Sequence, residues 1–298
     1  MQSLMSHLLL AFSLALPGHA SAADMPLPGD TRLLPLAPKL AAGWLLDKLP
    51  SADCDLLLDP KGNPWPVCGG HFVVAPFYGR MFTLNDKLDS AAWLENGAAV
   101  AAAGEDLLLL PLGDELKGKA AKGMETLKLK RLAKLPLEKA RLARAGADSF
   151  YLYGRDRKTG TTQVFAMKLD GNRWKPAFVT ATKASVSGVA GDGKVTFLAV
   201  GRKVLRVEGD SVTTFYTHPA DDISGLAYSA GAGLLFYSTG YSVGYAAEGR
   251  GGDFLLSPSP SVKTGGGKLC VLLAGGKGVL RIEGISSLND KAAAGVSK

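Results

Sequence analysis

Histidine is scarce in this chain. Of four residues in 298, only His71 and His218 lie beyond residue 22. A hydrolase built on a catalytic histidine, or a multi-histidine metal site, has almost nothing to draw on. Cysteine is nearly as rare, with three in the chain, and none form a CxxC pair, which argues against thiol redox chemistry. No run of eighteen apolar residues follows the N-terminal stretch, so no transmembrane segment is expected. Phosphate-loop and dinucleotide spacings are missing as well. Thr264-Gly265-Gly266-Gly267-Lys268 lacks an upstream glycine and a Ser/Thr after the lysine, and Gly249-Arg250-Gly251-Gly252-Asp253 has no dinucleotide pattern; both read as turns.

The first 22 residues read as a cleavable export signal. Leu8 to Leu16 form an apolar core, Pro17 and Gly18 break it, and Ala20-Ser21-Ala22 supplies the small-x-small pattern of a cleavage site. The expected location is therefore the periplasm or the exterior. In that oxidising setting Cys54 and Cys68 pair most naturally with each other, closing a loop worth about 3 kcal/mol. Cys270, inside the apolar run Leu269 to Leu273, reads as a buried free thiol.

The formal charge of +7 is local. Between Lys117 and Arg144 ten Lys/Arg face Glu125 and Glu138, a balance of +8 that leaves −1 for the rest of the chain. The basicity says nothing general about nucleic acid, and no nucleic-acid partner is expected.

A repeat organises what remains. An apolar-Ala-x-x-Gly pattern followed by an apolar run occurs at Val100, Leu142, Val189, Leu226 and Val262, with Val262-Lys-Thr-Gly265 the loosest copy. A fainter copy begins at Val67. Lys194 to Gly209 and Lys268 to Gly284 match most closely, both ending in Leu-Arg-(Val/Ile)-Glu-Gly. Within a unit, Ser149 to Tyr153 and Thr162 to Leu169 read as strands, and Asp170-Gly171-Asn172 as a hairpin turn. Four short strands repeating at about 40 residues indicate an all-β fold, a β-propeller of five or six four-stranded blades. A single such sheet cannot bury both of its faces alone. A β-sandwich is the alternative.

Residues 184–284 resemble the NHL and quinoprotein-type propeller repeats of exported bacterial proteins, through the Val-Ala-x-Asp-Gly-x-(Val/Leu) form of 189–195 and through Lys158-Thr159-Gly160. The resemblance implies an architecture and no cofactor. The chain lacks the Asn-x-Arg ending of NHL units and the tryptophan docking of quinoproteins. The expected organisation is a signal peptide at 1–22, an N-terminal segment at 23–45 that contributes a closing strand, a propeller at 46–285 and a tail at 286–298. The last unit is one strand short, and Thr31 to Leu36 is the expected closing strand.

Sorting loops by blade topology, from Leu142 onward, places Arg155, Arg157, Lys158, Lys183, Arg202, Lys203 and Lys277 on one face with the acids Asp156, Asp221 and Asp222, and puts His218, Asp221 and Asp222 in a loop at the ring mouth. Asp148, Asp170, Asp192, Glu208, Asp210, Glu248 and Asp253 fall on the other. A cationic face would attract acidic partners. A basic strip, Lys128, Lys130, Arg131 and Lys134, reads either as the protected outer edge of a blade or as an anion-binding surface. Two functions follow. One is a non-catalytic exported propeller that binds a protein or an anionic polysaccharide or lipid of the envelope through its basic face, with no metal and no cofactor. The other is a propeller hydrolase or lactonase using Ca²⁺ at the ring centre.

Overall fold

The computed structural model describes residues 26–34, 40–75, 80–94, 96–112, 125–146, 148–170, 173–248 and 250–288. The expected signal peptide and most of the expected tail lie outside these residues. The described chain forms six sheets, antiparallel throughout except for one outer strand of the first. Their innermost strands, Cys54–Leu58, Ser90–Trp93, Leu137–Arg144, Gly188–Gly191, Gly225–Ser229 and Ser261–Gly265, each touch the next, and the sixth returns to the first. The ring is a β-propeller of six blades, numbered 1 to 6 in the order of those innermost strands.

The reason for a ring is visible in the core. The described apolar residues fall into six clusters, one at each blade interface. Successive residues of one strand serve different interfaces. Phe197 faces blade 5 while Leu198 faces blade 3; Phe236 faces blade 6 while Leu235 and Tyr237 face blade 4. Both faces of each sheet are buried, which is why these strands are continuous apolar runs instead of alternating ones. Each such side chain contributes about 1.5–3 kcal/mol on burial, and that contribution exists only while the neighbouring blade is present.

Closure comes from the N-terminal segment, through a different stretch from the one expected. Ala41–Leu46 pairs antiparallel with Gly278–Glu283 and supplies the outermost strand of blade 6. Of the expected strand Thr31 to Leu36, Arg32–Leu33 instead pairs with Arg250–Leu256 and adds a fifth strand to the outer edge of blade 5; residues 35 and 36 lie outside the described residues. The stretches at Thr31 and at Ala41 are both short and mostly apolar, so composition does not rank them. Blade 1 also has a fifth strand, Glu125–Leu127, parallel to Arg80–Leu84.

Two further readings are corrected. Val100 and Val67 stand on second strands, Ala99–Ala103 and Pro64–Cys68, whereas Leu142, Val189, Leu226 and Val262 stand on innermost strands; the first two copies of the repeat are thus out of register with the others. Arg250 to Asp253 is strand, not turn. A Cβ on Gly251 would come within 2.7 Å of the Tyr216 ring, so glycine there lets two blades approach. Cys54 and Cys68 form a disulfide across the first hairpin.

Candidate functional site

In each blade the loops joining second to third strands, and those joining one blade to the next, lie on one face, here called upper. The loops joining first to second and third to fourth strands lie on the lower face. A cavity of about 670 Å³ runs along the ring axis between the innermost strands. Its lower mouth is lined by Ala145, Gly146, Gly191, Gly231 and Gly265–Gly267. Gly146, Gly231 and Gly265 are glycines of the sequence repeat, and these small residues keep side-chain bulk off that mouth, where Asp192 is the charged residue of the turn. The loop at 192–195 shows how the turn is built. Asp192 Oδ1 accepts the N–H groups of Lys194 and Val195, and the Gly193 N–H donates to the Tyr151 hydroxyl. Burial works to raise the Asp192 pKa, but the backbone donors outweigh it and hold the carboxyl below its ordinary value.

Midway along the axis four polar groups meet the cavity. Lys263 stands at the centre of its innermost strand and pairs with Asp55 of blade 1 at 3.1 Å. From blade 3, on the far side of the ring, come Arg141 and Tyr153, directly paired across adjacent strands, with the guanidinium near enough to the hydroxyl to act on its titration. Tyr153 is buried, and burial raises its pKa, with Arg141 and then Lys263 opposing that rise. At Lys263 enclosure by the channel works to lower the pKa; the Asp55 carboxylate outweighs it, so the ammonium stays charged to higher pH than an ordinary lysine. A third of the Lys263 side chain (34 %) still meets solvent.

Sequence reasoning passed over these four residues, although the repeat carried a signal for two of them. At the Ala of apolar-Ala-x-x-Gly, blades 3 to 5 have Ala143, Ala190 and Ala227 and blade 6 has Lys263. Just before the apolar anchor, blades 4 to 6 have Gly188, Gly225 and Ser261 and blade 3 has Arg141. The two long cations stand where the ring otherwise places small residues.

The expected site residues are distributed as follows. Arg155, Arg157, Lys158, Lys183, Arg202 and Lys203 do share the upper face, and Lys277 lies there too. That face is of mixed charge, because the loops that precede blade 3 bring acids to it: Asp47, Asp53, Asp86, Asp89 and Glu105 are among them. Arg157 pairs with Glu105, and with Glu138 at 3.0 Å, and Lys277 pairs with Asp30. Arg202 donates to the Pro219 carbonyl at 3.1 Å.

His218 is not at the mouth. It is 3 % exposed, lying edge-on to Tyr237 with Nε2 3.5 Å from Asp253. Its Nδ1 accepts the N–H groups of Asp221 and Ala220, so the ring holds the blade 4–5 loop that carries Asp221 and Asp222 and faces away from any ligand. Asp253 is likewise not on the lower face; its carboxylate accepts the Tyr237 hydroxyl proton at 2.8 Å inside the same interface. In the basic strip, Lys130–Lys134 is the outermost strand of blade 2. Arg131 and Lys134 reach Asp106 at 2.6 and 3.1 Å, and Lys128 and Lys130 are exposed at the edge.

The channel carboxylates do not suit calcium, which needs six to eight oxygens converging on one point. Asp55 is engaged by Lys263, Asp89 accepts the Gly104 N–H at 2.7 Å, and Asp192 is held by its own turn. Among the described residues no three His, Cys, Asp or Glu gather at metal-holding distance.

No family model matches the chain, and no curated protein is similar to it. Among solved structures it is similar to a gluconolactonase from Xanthomonas campestris, with a TM-score of 0.56 and 13 % identity over 90 % of this chain and 98 % of that one. It is also similar to the calcium-binding protein regucalcin from Agrobacterium tumefaciens, with a TM-score of 0.52 and 13 % identity over 81 % and 92 %. At that identity the likeness concerns the fold alone, and the fold is a β-propeller.

Proposed function

We propose that this chain is an exported propeller whose axial channel holds a small polar molecule, contacted by Asp55, Arg141, Tyr153 and Lys263. The observation that carries this reading is the meeting of those four groups, drawn from three blades, on a cavity of about 670 Å³, within the ordinary range of small-ligand sites. The export reading rests on the N-terminal pattern and agrees with the Cys54–Cys68 disulfide. Moving the contact from the upper face to the channel follows from the ion pairs above. Arg157 and Lys277 already have acidic partners on that face.

A second reading, lactone hydrolysis, draws on the fold likeness to the gluconolactonase. One experiment separates the two. The protein is given δ-gluconolactone, with acid release and binding heat followed in calcium and in chelator. Heat without turnover, lost in Lys263→Ala and indifferent to calcium, is the outcome expected of a binding channel. Calcium-dependent acid release would establish the hydrolase instead, and an unchanged heat in Lys263→Ala would remove the channel from consideration.

A further inference from the structure

We propose, resting on the channel reading above, that the axial ligand is a small monocarboxylate whose carboxylate docks between Arg141 and Lys263, with Asp55 as the resident anion it competes against. The balance of charge in the middle of the channel carries this inference. Two cations and one carboxylate meet the cavity there, with the neutral Tyr153 hydroxyl as the fourth group; Asp89 at the upper ends of the innermost strands, and Arg144 and Asp192 at their lower ends, line the cavity toward its two mouths. Lys263 has Asp55 for a partner. Arg141 has only the phenol; among the described residues no carboxylate pairs with it. One positive charge is thus without a carboxylate of its own in this part of the channel, and Arg141 is exposed there to whatever enters, so an incoming anion is favoured. A dianion would reverse the imbalance, so the site selects a single negative charge.

The backbone around Arg141 points the same way. Lys139, two residues earlier in an innermost strand, has a φ of 48°, left-handed geometry that a lysine adopts only under constraint. The pairing register shifts between Glu138 and Arg141. A bulge of this kind re-aims the side chains beside it. Here Ala140 and Leu142 are buried, while the intervening Arg141 is exposed to the cavity. A planar guanidinium can bind both oxygens of a carboxylate. The Lys263 ammonium adds a second positive charge from across the axis, and the Tyr153 hydroxyl adds a donor.

Acetate and gluconate are the charged probes and δ-gluconolactone the uncharged one, titrated by calorimetry into the intact protein and into Arg141→Gln, Lys263→Gln and Asp55→Asn. The melting temperature of each variant is recorded to show that it is folded, and Lys263→Arg serves as the charge-preserving control. Loss of one charge-assisted contact is expected to weaken both carboxylates about tenfold or more in the first two variants. In Asp55→Asn binding is expected to tighten, because the competing anion is gone. Carboxylate binding that is unchanged in Arg141→Gln and Lys263→Gln, or weakened in Asp55→Asn, overturns the proposal. If only the lactone binds, and the same substitutions abolish it, the carboxylate inference fails while the channel reading stands. No binding of any of the three probes removes both.

Discussion

Deleting residues 26–46 should abolish folding, whereas deleting 26–34 should only lower the melting temperature. The longer deletion removes Ala41–Leu46 and its five residue pairs with blade 6. At about 1 kcal/mol for each hydrogen bond, the ladder alone is worth about 5 kcal/mol. Trp44 packs on the blade 5–6 cluster, and losing it costs about 2 kcal/mol more. Together these approach the whole stability of a typical domain, about 5–15 kcal/mol. The loss also spreads, because an unclosed blade 6 no longer covers blade 1. The shorter deletion removes two residue pairs with blade 5, the Leu34 N–H to Phe254 carbonyl bond, the Thr31–Ser257 hydroxyl contact and the Asp30–Lys277 pair. Counted at the same rate, the four hydrogen-bonded contacts sum to about 4 kcal/mol, or a melting point lower by about 8–16 °C in a protein of this size; the exposed ion pair adds nothing to that sum. Circular dichroism melts of both variants, with near-ultraviolet spectra for tertiary packing, decide the matter. A cooperative transition for the 26–46 deletion within a few degrees of the 26–34 deletion would refute the reasoning, since closure would then owe nothing to Ala41–Leu46.

Cys270 is fully buried, and burial pushes its thiol up to about 12. It should therefore resist a thiol-specific chromogenic reagent at pH 8 in the native protein and react completely in denaturant; rapid native labelling would contradict its placement. Gly266 has a φ of +56°, and a Cβ there would lie 2.4 Å from the Lys61 backbone. Gly266→Ala is expected to destabilise by about 1–3 kcal/mol, measured by urea titration, and a neutral result would mean the blade 6–1 contact is looser than described. Asp192 is held below its ordinary value of 3.8. Its contribution is present above that pH and disappears as pH falls through the folded-state value. Asp192→Asn should accordingly flatten the acid limb of a stability–pH curve and leave its shape near neutrality unchanged.

Blade architecture was legible in the sequence because both faces of each sheet are buried. Runs such as Leu234-Leu-Phe-Tyr237 can satisfy no two-layer pattern without a partner on either side, and their recurrence with a glycine turn before them announces a ring. What was not legible is explained by particular residues. The closing strand was misplaced because Ala41–Leu46 is only partly buried, and edge pairing is a backbone matter that side chains barely encode. The segregation of charge onto opposite faces failed because ion pairs join residues far apart in the chain, Arg157 with Glu105 and Lys277 with Asp30. Topology assigns a loop to a face but not a side chain to its partner. His218 looked like a loop residue beside two aspartates; its ring turns inward to cap the backbone of that same loop. The channel cluster was written as departures from the repeat, Lys for Ala at 263 and Arg for Gly or Ser at 141. A search for motifs passes over such departures, because a site built from one residue per blade has no local spacing.

Anomalous diffraction from a crystal soaked briefly in bromide tests the central claim with the least interpretation, since a halide reports where uncompensated positive charge meets solvent. A bromide peak on the ring axis, within reach of both Arg141 and Lys263, is the result this account predicts. Peaks confined to the outer edges and upper loops, around Lys128, Lys130, Lys183 or Lys203, with an empty axis, would contradict it.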